Sequence, residues 1–188
     1  MSGLEIMRSA EVICSYIMKG FDMTKNCPII LCGFTSSGKT TIGKLLSERL
    51  GLPFYDTDQM LIEHYQMTIP EIFAKGGETL FRDYEHEIAR RVCTLGPSVV
   101  STGGGMLTFD RNGEILAKNG MIFYIDHPFE DCYANLAQHP ERPLFKNHTK
   151  KEVQDMYLIR RDLYRKYAKF DIKNTGTAGE AAEKIRDL

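Results

Sequence analysis

The residues with the clearest chemical signature form the segment Gly33-Phe34-Thr35-Ser36-Ser37-Gly38-Lys39-Thr40, which has the form G-x-x-x-x-G-K-[ST]. A short apolar run precedes this segment and a run of helical period follows it, which is the context of a phosphate-binding loop. Its glycines let the backbone fold around an anion, and the helix N-terminus adds a partial positive charge. Lys39 is expected to reach the β- and γ-phosphates of a nucleotide, and the Thr40 hydroxyl to ligate Mg²⁺. A chance Gly/Ser-rich turn with a lysine is the alternative, and the flanking elements disfavour it.

Two carboxylates one residue apart, Asp56 and Asp58, directly follow the second predicted strand. One of them can hold Mg²⁺ through water while the other meets a hydroxyl that is being phosphorylated. Because aspartate is also common in turns and helix caps, this pair alone leaves both interpretations open.

An arginine and a glycine run form the third group of candidates. Arg82 and Glu85 are three residues apart on a predicted helix and can pair, which would fix the guanidinium; a solvated surface salt bridge worth less than about 1 kcal/mol is the alternative. The turn Gly103-Gly104-Gly105 after the third strand suits a close approach of backbone to a small ligand, or it is a plain tight turn.

For these residues to form one site, the fold must bring them together at the same end of a sheet. Apolar runs of strand length alternate with helical segments, which predicts an α/β fold with three layers (α/β/α) and a five-stranded parallel sheet. Ligands in such folds bind at the carboxyl ends of the strands. The predicted strands are 29–32, 53–55, 98–101, 121–125 and 170–172, and the predicted helices are 40–50, 69–74, 79–93, 111–117, 129–137, 150–167 and 179–186.

Composition limits the classes of function. The chain has 188 residues, a net charge of −1 and 26% charged residues, which is ordinary for a globular protein and gives no sign of a nucleic-acid or membrane partner. The five cysteines are scattered without metal-ligand spacing, which is typical of a reducing cytosol, so we predict a cytoplasmic protein. We also predict a monomer.

Two segments stand apart from this pattern. Residues 1–26 are predicted to be an N-terminal extension with room for one short helix, ahead of a domain over 27–188. The apolar run in the extension is too short to span a bilayer, and translation from Met23 is an open alternative. The segment from about 138 to 148 is polar with two prolines, and it is predicted either to be a mobile lid or to be an ordinary surface connection.

From about Cys27 to the C-terminus, the order and spacing of these motifs resemble the shikimate kinases, P-loop proteins of the nucleoside-monophosphate-kinase-like group. The resemblance also rests on Ile72-Phe73, Gly77-Glu78, Arg142-Pro143-Leu144 and the placement of Arg160 four residues before Tyr164. It implies ATP-dependent phosphorylation of the 3-hydroxyl of shikimate, with Mg²⁺ as cofactor and ATP and shikimate as the partners.

The resemblance also implies a role for each candidate residue. Lys39, Asp58 and Arg142 would be catalytic, with Arg142 on the lid, and Thr40 and Asp56 would hold the metal. Arg82, braced by Glu85, and Arg160 would grip the shikimate carboxylate, while the glycine turn would offer backbone N–H groups. The predicted ATP-binding residues are Gly33, Ser36, Ser37, Gly38, Lys39, Thr40, Thr41 and Arg142, and the predicted substrate-binding residues are Asp58, Arg82, Gly103, Gly104, Gly105 and Arg160.

Several positions depart from the family pattern. Asn135 stands where many members have an arginine near the adenine, and Asp162 replaces a usual proline, so Arg160 is favoured over Arg161 for the substrate only by its distance from Tyr164. Asp126 ends an apolar run like a metal-binding Walker B aspartate, but a helix N-cap is preferred for it. The rival functions are a related metabolite kinase, such as a gluconate kinase, an adenylate-type kinase, and a non-catalytic ATP- or shikimate-binding module.

Overall fold

Five parallel strands form one sheet in the order β2-β3-β1-β4-β5, in a computed structural model that describes residues 27–138 and 148–188. The strands are β1 (Ile29–Cys32), β2 (Phe54–Asp56), β3 (Val99–Ser101), β4 (Met121–Asp126) and β5 (Phe170–Lys173). Their registers keep the carboxyl ends together, since Leu31 pairs with Ser101 on one side and with Phe123 on the other. The central strand β1 therefore ends where the strand order reverses, which is the usual ligand-binding point of such sheets.

Helices cover both faces of this sheet and give the predicted three layers. They are α1 (Lys39–Leu50), α2 (Thr57–Tyr65), α3 (Ile69–Val92), α4 (Asp110–Asn119), α5 (Phe129–Ala137), α6 (Lys150–Tyr167) and α7 (Ala178–Arg186), with a short 3₁₀ helix at Met106–Thr108. Alternate residues of the strands face opposite sides, so Leu31 packs with α1 and α7 while Ile30 joins the larger core under the other helices. The sequence therefore predicted the fold class and all five strands correctly.

One helical prediction needs correction, and one pair of predicted helices is confirmed. No helix was expected directly after Asp56, yet α2 begins at Thr57, and the Asp56 carboxylate caps it by accepting from the Asp58 N–H at 3.0 Å. The two helices predicted over 69–74 and 79–93 are confirmed as the two parts of α3, because the backbone leaves helical geometry at Gly77, whose φ of 65° lies in the left-handed region that glycine tolerates.

The remaining predictions about organisation concern residues outside the described ones. The extension over 1–26 and most of the lid, residues 139–147 with Arg142, lie there, so they stay predictions. Within residues 27–138 and 148–188, none of the helices has both the length and the apolar character that crossing a membrane requires.

Candidate active site

The phosphate-binding loop joins β1 to α1 at the carboxyl end of the central strand of the sheet. Two of its residues, Ser36 and Gly38, have φ values of 64° and 89°, so the chain turns tightly there. The Ser37 N–H donates to the Phe34 carbonyl at 3.2 Å, and the Gly38 carbonyl accepts the first helical hydrogen bond, from Ile42. This geometry places the N-terminus of α1 at the mouth of the loop, where an anion is stabilised by N–H groups and the helix dipole.

Lys39 extends into the loop and is almost fully buried, with 7% of its surface exposed. Its Nζ donates to the Phe34 carbonyl at 2.7 Å. Burial lowers the pKa of this ammonium group to about 8, although the nearby carboxylates of Asp58 and Asp56 oppose the decrease. The group is thus positioned next to the anion site and is sensitive to the charge that enters it.

This pKa predicts how ATP affinity depends on pH. Phosphate groups attract only the charged form of Lys39, and one unit above its pKa about a tenth of the unliganded protein carries that charge. We expect ATP affinity to be about tenfold lower at pH 9 than at pH 7. Calorimetry in two buffers of different ionisation enthalpy should show proton uptake on binding at pH 9 and almost none at pH 7.

The neighbouring thiols and the phosphate groups themselves are expected to change little in charge over this pH range. Burial raises the pKa of the neighbouring Cys32 and Cys132 thiols above this range, and the last pKa of a phosphate ester is about 6, so the phosphates are mostly ionised at pH 7 already. The Lys39→Arg variant keeps a charge throughout and should lose the pH dependence. Equal affinity of the unchanged protein at pH 7 and pH 9 would contradict the assignment.

The two predicted metal-binding residues lie in contact beside the loop. The Thr40 hydroxyl donates to Asp56 Oδ2 at 3.0 Å, and the Ser101 hydroxyl, which the sequence analysis did not single out, lies 3.3 Å from Thr40 Oγ1. Among the described residues there is no cluster of three His, Cys, Asp or Glu side chains that would form a complete protein metal cage. One carboxylate with a hydroxyl still fits Mg²⁺, because this ion prefers oxygen and commonly takes its other ligands from phosphates and water.

Asp126 has a different environment from either of the two that the sequence suggested. It ends β4, accepts from the Tyr124 hydroxyl at 3.1 Å and pairs with Arg165 at 3.3 Å. The N-cap of α5 is Pro128, without a side-chain cap, so the preferred N-cap role for Asp126 was wrong. Its carboxylate is engaged in a structural ion pair.

The three consecutive glycines make room for side chains of other elements. A β-carbon on Gly103 would lie 2.5 Å from Asp58 Oδ1, and one on Gly104 would lie 2.7 Å from Thr35 Oγ1; one on Gly105 would collide with the Arg82 guanidinium. The Gly103 N–H already donates to the buried Thr57 hydroxyl at 2.9 Å. Here Gly103 therefore contributes space, and the prediction that the turn offers backbone N–H groups to a substrate stays a prediction.

Arg82 is a buried arginine fixed by two carboxylates. Its guanidinium contacts Glu85 at 2.6 Å and Glu78 at 2.8 Å, and its exposed fraction is 5%. Burial raises the pKa of Glu85 to about 7, while the charge of Arg82 acts in the opposite direction. The alternative of a solvated surface pair is therefore wrong, and the guanidinium is held in one pose as the 82/85 spacing predicted.

The two candidate arginines of α6 face different surroundings. Arg160 is buried, and its Nη1 lies 3.5 Å from the Gly104 carbonyl, which also accepts from the Tyr164 hydroxyl. Arg161 is only partly buried and makes a 3.4 Å contact with the exposed Asp162. The i, i+4 spacing of Arg160 and Tyr164 thus puts both on the same glycine of the turn.

A cavity of about 590 Å³ collects most of these residues. Apolar side chains of α3 line one part of it, with the rings of Phe73 and Phe81 4.9 Å apart. Gly33 and Ser37 do not line the cavity: both are buried, and a β-carbon on Gly33 would lie 2.7 Å from the Ile125 carbonyl. The predicted site residues that line it are Ser36, Gly38, Lys39, Thr40, Thr41, Asp56, Asp58, Arg82, Gly103, Gly104, Gly105 and Arg160.

Several residues of this cavity were not predicted from the sequence. Thr102 and Gln138 line it, as does Asn135, which was noted only as a departure from a pattern. A polar residue at the end of a strand, such as Thr102 after β3, carries a recognisable signal because ligands bind at that edge. Gln138 had none, since its position follows only from the packing of α5.

Comparison with known proteins places this arrangement in a family. The family model described as shikimate kinase matches residues 35–188. The chain is 40% identical to a shikimate kinase of Caldicellulosiruptor bescii over 158 residues, covering 84% of this chain and 92% of that protein. Its fold matches the structure of "Shikimate kinase from Acinetobacter baumannii in complex with shikimate" with a TM-score of 0.80 at 35% identity, over 85% of this chain and 90% of that one.

The rival metabolite kinases share only the fold. A gluconokinase structure from Sinorhizobium meliloti matches with a TM-score of 0.55 at 12% identity, over 85% of this chain and 89% of that one. Sequence similarity and structural similarity both favour the shikimate kinases, and the matched residues 35–188 span all those that line the cavity. The chain belongs to the shikimate kinase family.

Proposed function

We propose that this chain transfers the γ-phosphoryl group of ATP to the 3-hydroxyl of shikimate. The observation that carries the proposal is a single cavity that holds a phosphate-binding loop, a carboxylate and two buried arginines. Membership of the shikimate kinase family supports the same reaction. The cavity therefore suits an acceptor that carries both a hydroxyl group and a carboxylate.

The nucleotide end of the cavity would be formed by the loop. Its backbone N–H groups and the ammonium group of Lys39 would hold the β- and γ-phosphates, and Thr40 and Asp56 would hold Mg²⁺. The Mg²⁺ ion, when bound, supplies positive charge that offsets the charge of the phosphates. Phosphoryl transfer depends mostly on such positioning and charge, so a preorganised loop is what the reaction requires.

The acceptor end would be formed by α2, α3, α6 and the glycine turn. Asp58 would orient the hydroxyl and take its proton, because it lies at the start of α2 against Gly103. The guanidinium groups of Arg82 and Arg160 would bind the carboxylate through planar arrays of N–H donors, and Phe73 and Phe81 would pack against the ring. Arg142 is proposed to close over the transferred group from the lid.

The two-arginine clamp gives the test that separates shikimate from other acceptors. Lysine cannot reproduce the paired donors of a guanidinium group, so Arg82→Lys and Arg160→Lys should each weaken shikimate binding by about 1.5–3 kcal/mol. ATP affinity should change little, because neither arginine lies in the phosphate loop. Calorimetric titration of shikimate and of ATP into each variant measures both effects.

Arg161→Lys is the matched control, one residue from Arg160 on the same helix. Its side chain pairs with the exposed Asp162 and does not line the cavity, so shikimate affinity should stay unchanged. Equal losses at Arg160 and Arg161, or no loss at Arg82, would place the carboxylate elsewhere. A coupled assay of ADP release with shikimate, gluconate and AMP then checks acceptor choice, and activity with gluconate alone would contradict the proposal.

The setting of the enzyme is part of the same proposal. We propose that it acts as a cytoplasmic monomer, since its composition is typical of reducing compartments and a single chain supplies both ends of the cavity. Size-exclusion chromatography with light scattering tests the second point.

A further inference from the structure

The side chain of Asn174, which does not line the cavity, makes one hydrogen bond to the phosphate loop. This residue follows β5 directly and is 6% exposed. Its Nδ2 donates to the Ser37 carbonyl at 3.0 Å, across 137 residues of sequence. A β-carbon on Gly38 would lie 3.1 Å from the same Nδ2, so the amide packs directly against the loop.

The backbone of Asn174 is anchored to the sheet. Its N–H donates to the Asp126 carbonyl at 2.9 Å, which continues the pairing of β4 with β5 by one residue. Its carbonyl accepts from His127 Nδ1, so the proton of this imidazole is on that nitrogen. Because both contacts fix the backbone of Asn174 to residues at the end of β4, the side-chain amide is held against the loop by a rigid part of the sheet.

Folding stability alone does not account for an amide at this position. Among the described residues, Asn174 Oδ1 is buried without a hydrogen-bond partner. A buried polar atom left unpaired costs free energy, and an apolar side chain of similar size would avoid that cost. What an amide offers here, and an apolar side chain does not, is the hydrogen bond to the Ser37 carbonyl.

That bond sets the direction of a phosphate-binding group. The peptide between Ser37 and Gly38 is trans, so its C=O and its N–H point in opposite directions. The Ser37 carbonyl is directed at Asn174, which does not line the cavity, so the Gly38 N–H points away from Asn174, and Gly38 itself lines the cavity. We infer that Asn174 is a positioning residue that holds the Ser37–Gly38 peptide so that its N–H binds the phosphates of the nucleotide.

This inference rests on the proposed use of the loop for ATP, and the variants are chosen accordingly. Asn174→Asp keeps the shape but replaces the donor with an acceptor that repels the Ser37 carbonyl, and Asn174→Ala removes the bond. We expect each to raise the KM for ATP by about tenfold, with the dissociation constant of shikimate unchanged. Asn112→Asp is the matched control, because Asn112 is equally buried and donates to the Met106 carbonyl at 3.0 Å.

The decisive measurement is calorimetric binding of ADP and of inorganic tripolyphosphate, with melting temperatures recorded for every variant. Asn174→Asp should weaken both ligands by a similar factor, whereas Asn112→Asp should lose thermal stability and keep both affinities. Loss of ADP binding with normal tripolyphosphate binding would overturn the inference, because Asn174 would then act on the nucleoside. Unchanged affinities in both Asn174 variants would overturn it too. If the unchanged protein bound neither ligand, the proposed function would fail, and the inference with it.

Discussion

Lys39→Ala is expected to lower kcat by about a hundredfold or more, which is the usual loss when a preorganised charge is removed from a transition state. The ammonium group lies inside the phosphate loop, 2.7 Å from the Phe34 carbonyl, and is nearly excluded from water. A charge in such a place interacts strongly with the phosphoryl group, since little solvent screens it. Steady-state kinetics with saturating shikimate and ATP measure the effect.

The variant should still fold. Burial of an ammonium group costs free energy, as its lowered pKa indicates, so its removal is not expected to lower the melting temperature appreciably. Lys44→Ala is the matched control, because Lys44 lies on the same helix but is exposed. A kcat within about threefold of the unchanged protein would remove the argument from the phosphate loop.

Asp58→Asn is expected to lower kcat by about 10²–10⁴-fold, the range for loss of a positioned general base. The substitution keeps the shape of the side chain, which fits against Gly103 with no room to spare, and removes the charge that would accept the hydroxyl proton. ATP affinity should change far less than kcat, because the phosphates are held mainly by the loop. Kinetics and ATP titration on the same preparation separate the two quantities.

An exposed aspartate provides the control for this change. Asp155→Asn, on the outer surface of α6, removes the same charge outside the cavity lining and should be silent. If ATP binding collapsed in Asp58→Asn while shikimate binding survived, the roles assigned to the two ends of the cavity would be reversed.

Features that depend on neighbours in sequence could be predicted from the sequence. The phosphate loop, the five strands and the pairing of Arg82 with Glu85 follow from local spacing and hydrophobic period, which specify elements directly. Helix α2 was not predicted, although the sequence left Asp56 open as a metal ligand or as a helix cap; the structure shows that this one carboxylate caps the helix and also contacts Thr40.

Features that depend on residues far apart in sequence were decided by the tertiary structure. Which of Arg160 and Arg161 lies beside the glycine turn depends on how α6 is oriented about its own axis when it packs there. The three glycines leave the space that the side chains of Asp58, Thr35 and Arg82 occupy. The contact of Asn174 with Ser37 spans 137 residues and left no local pattern. Spacing determines which side chains share a face of one element, but only packing determines which faces meet, because each contact must compete with others for the same space.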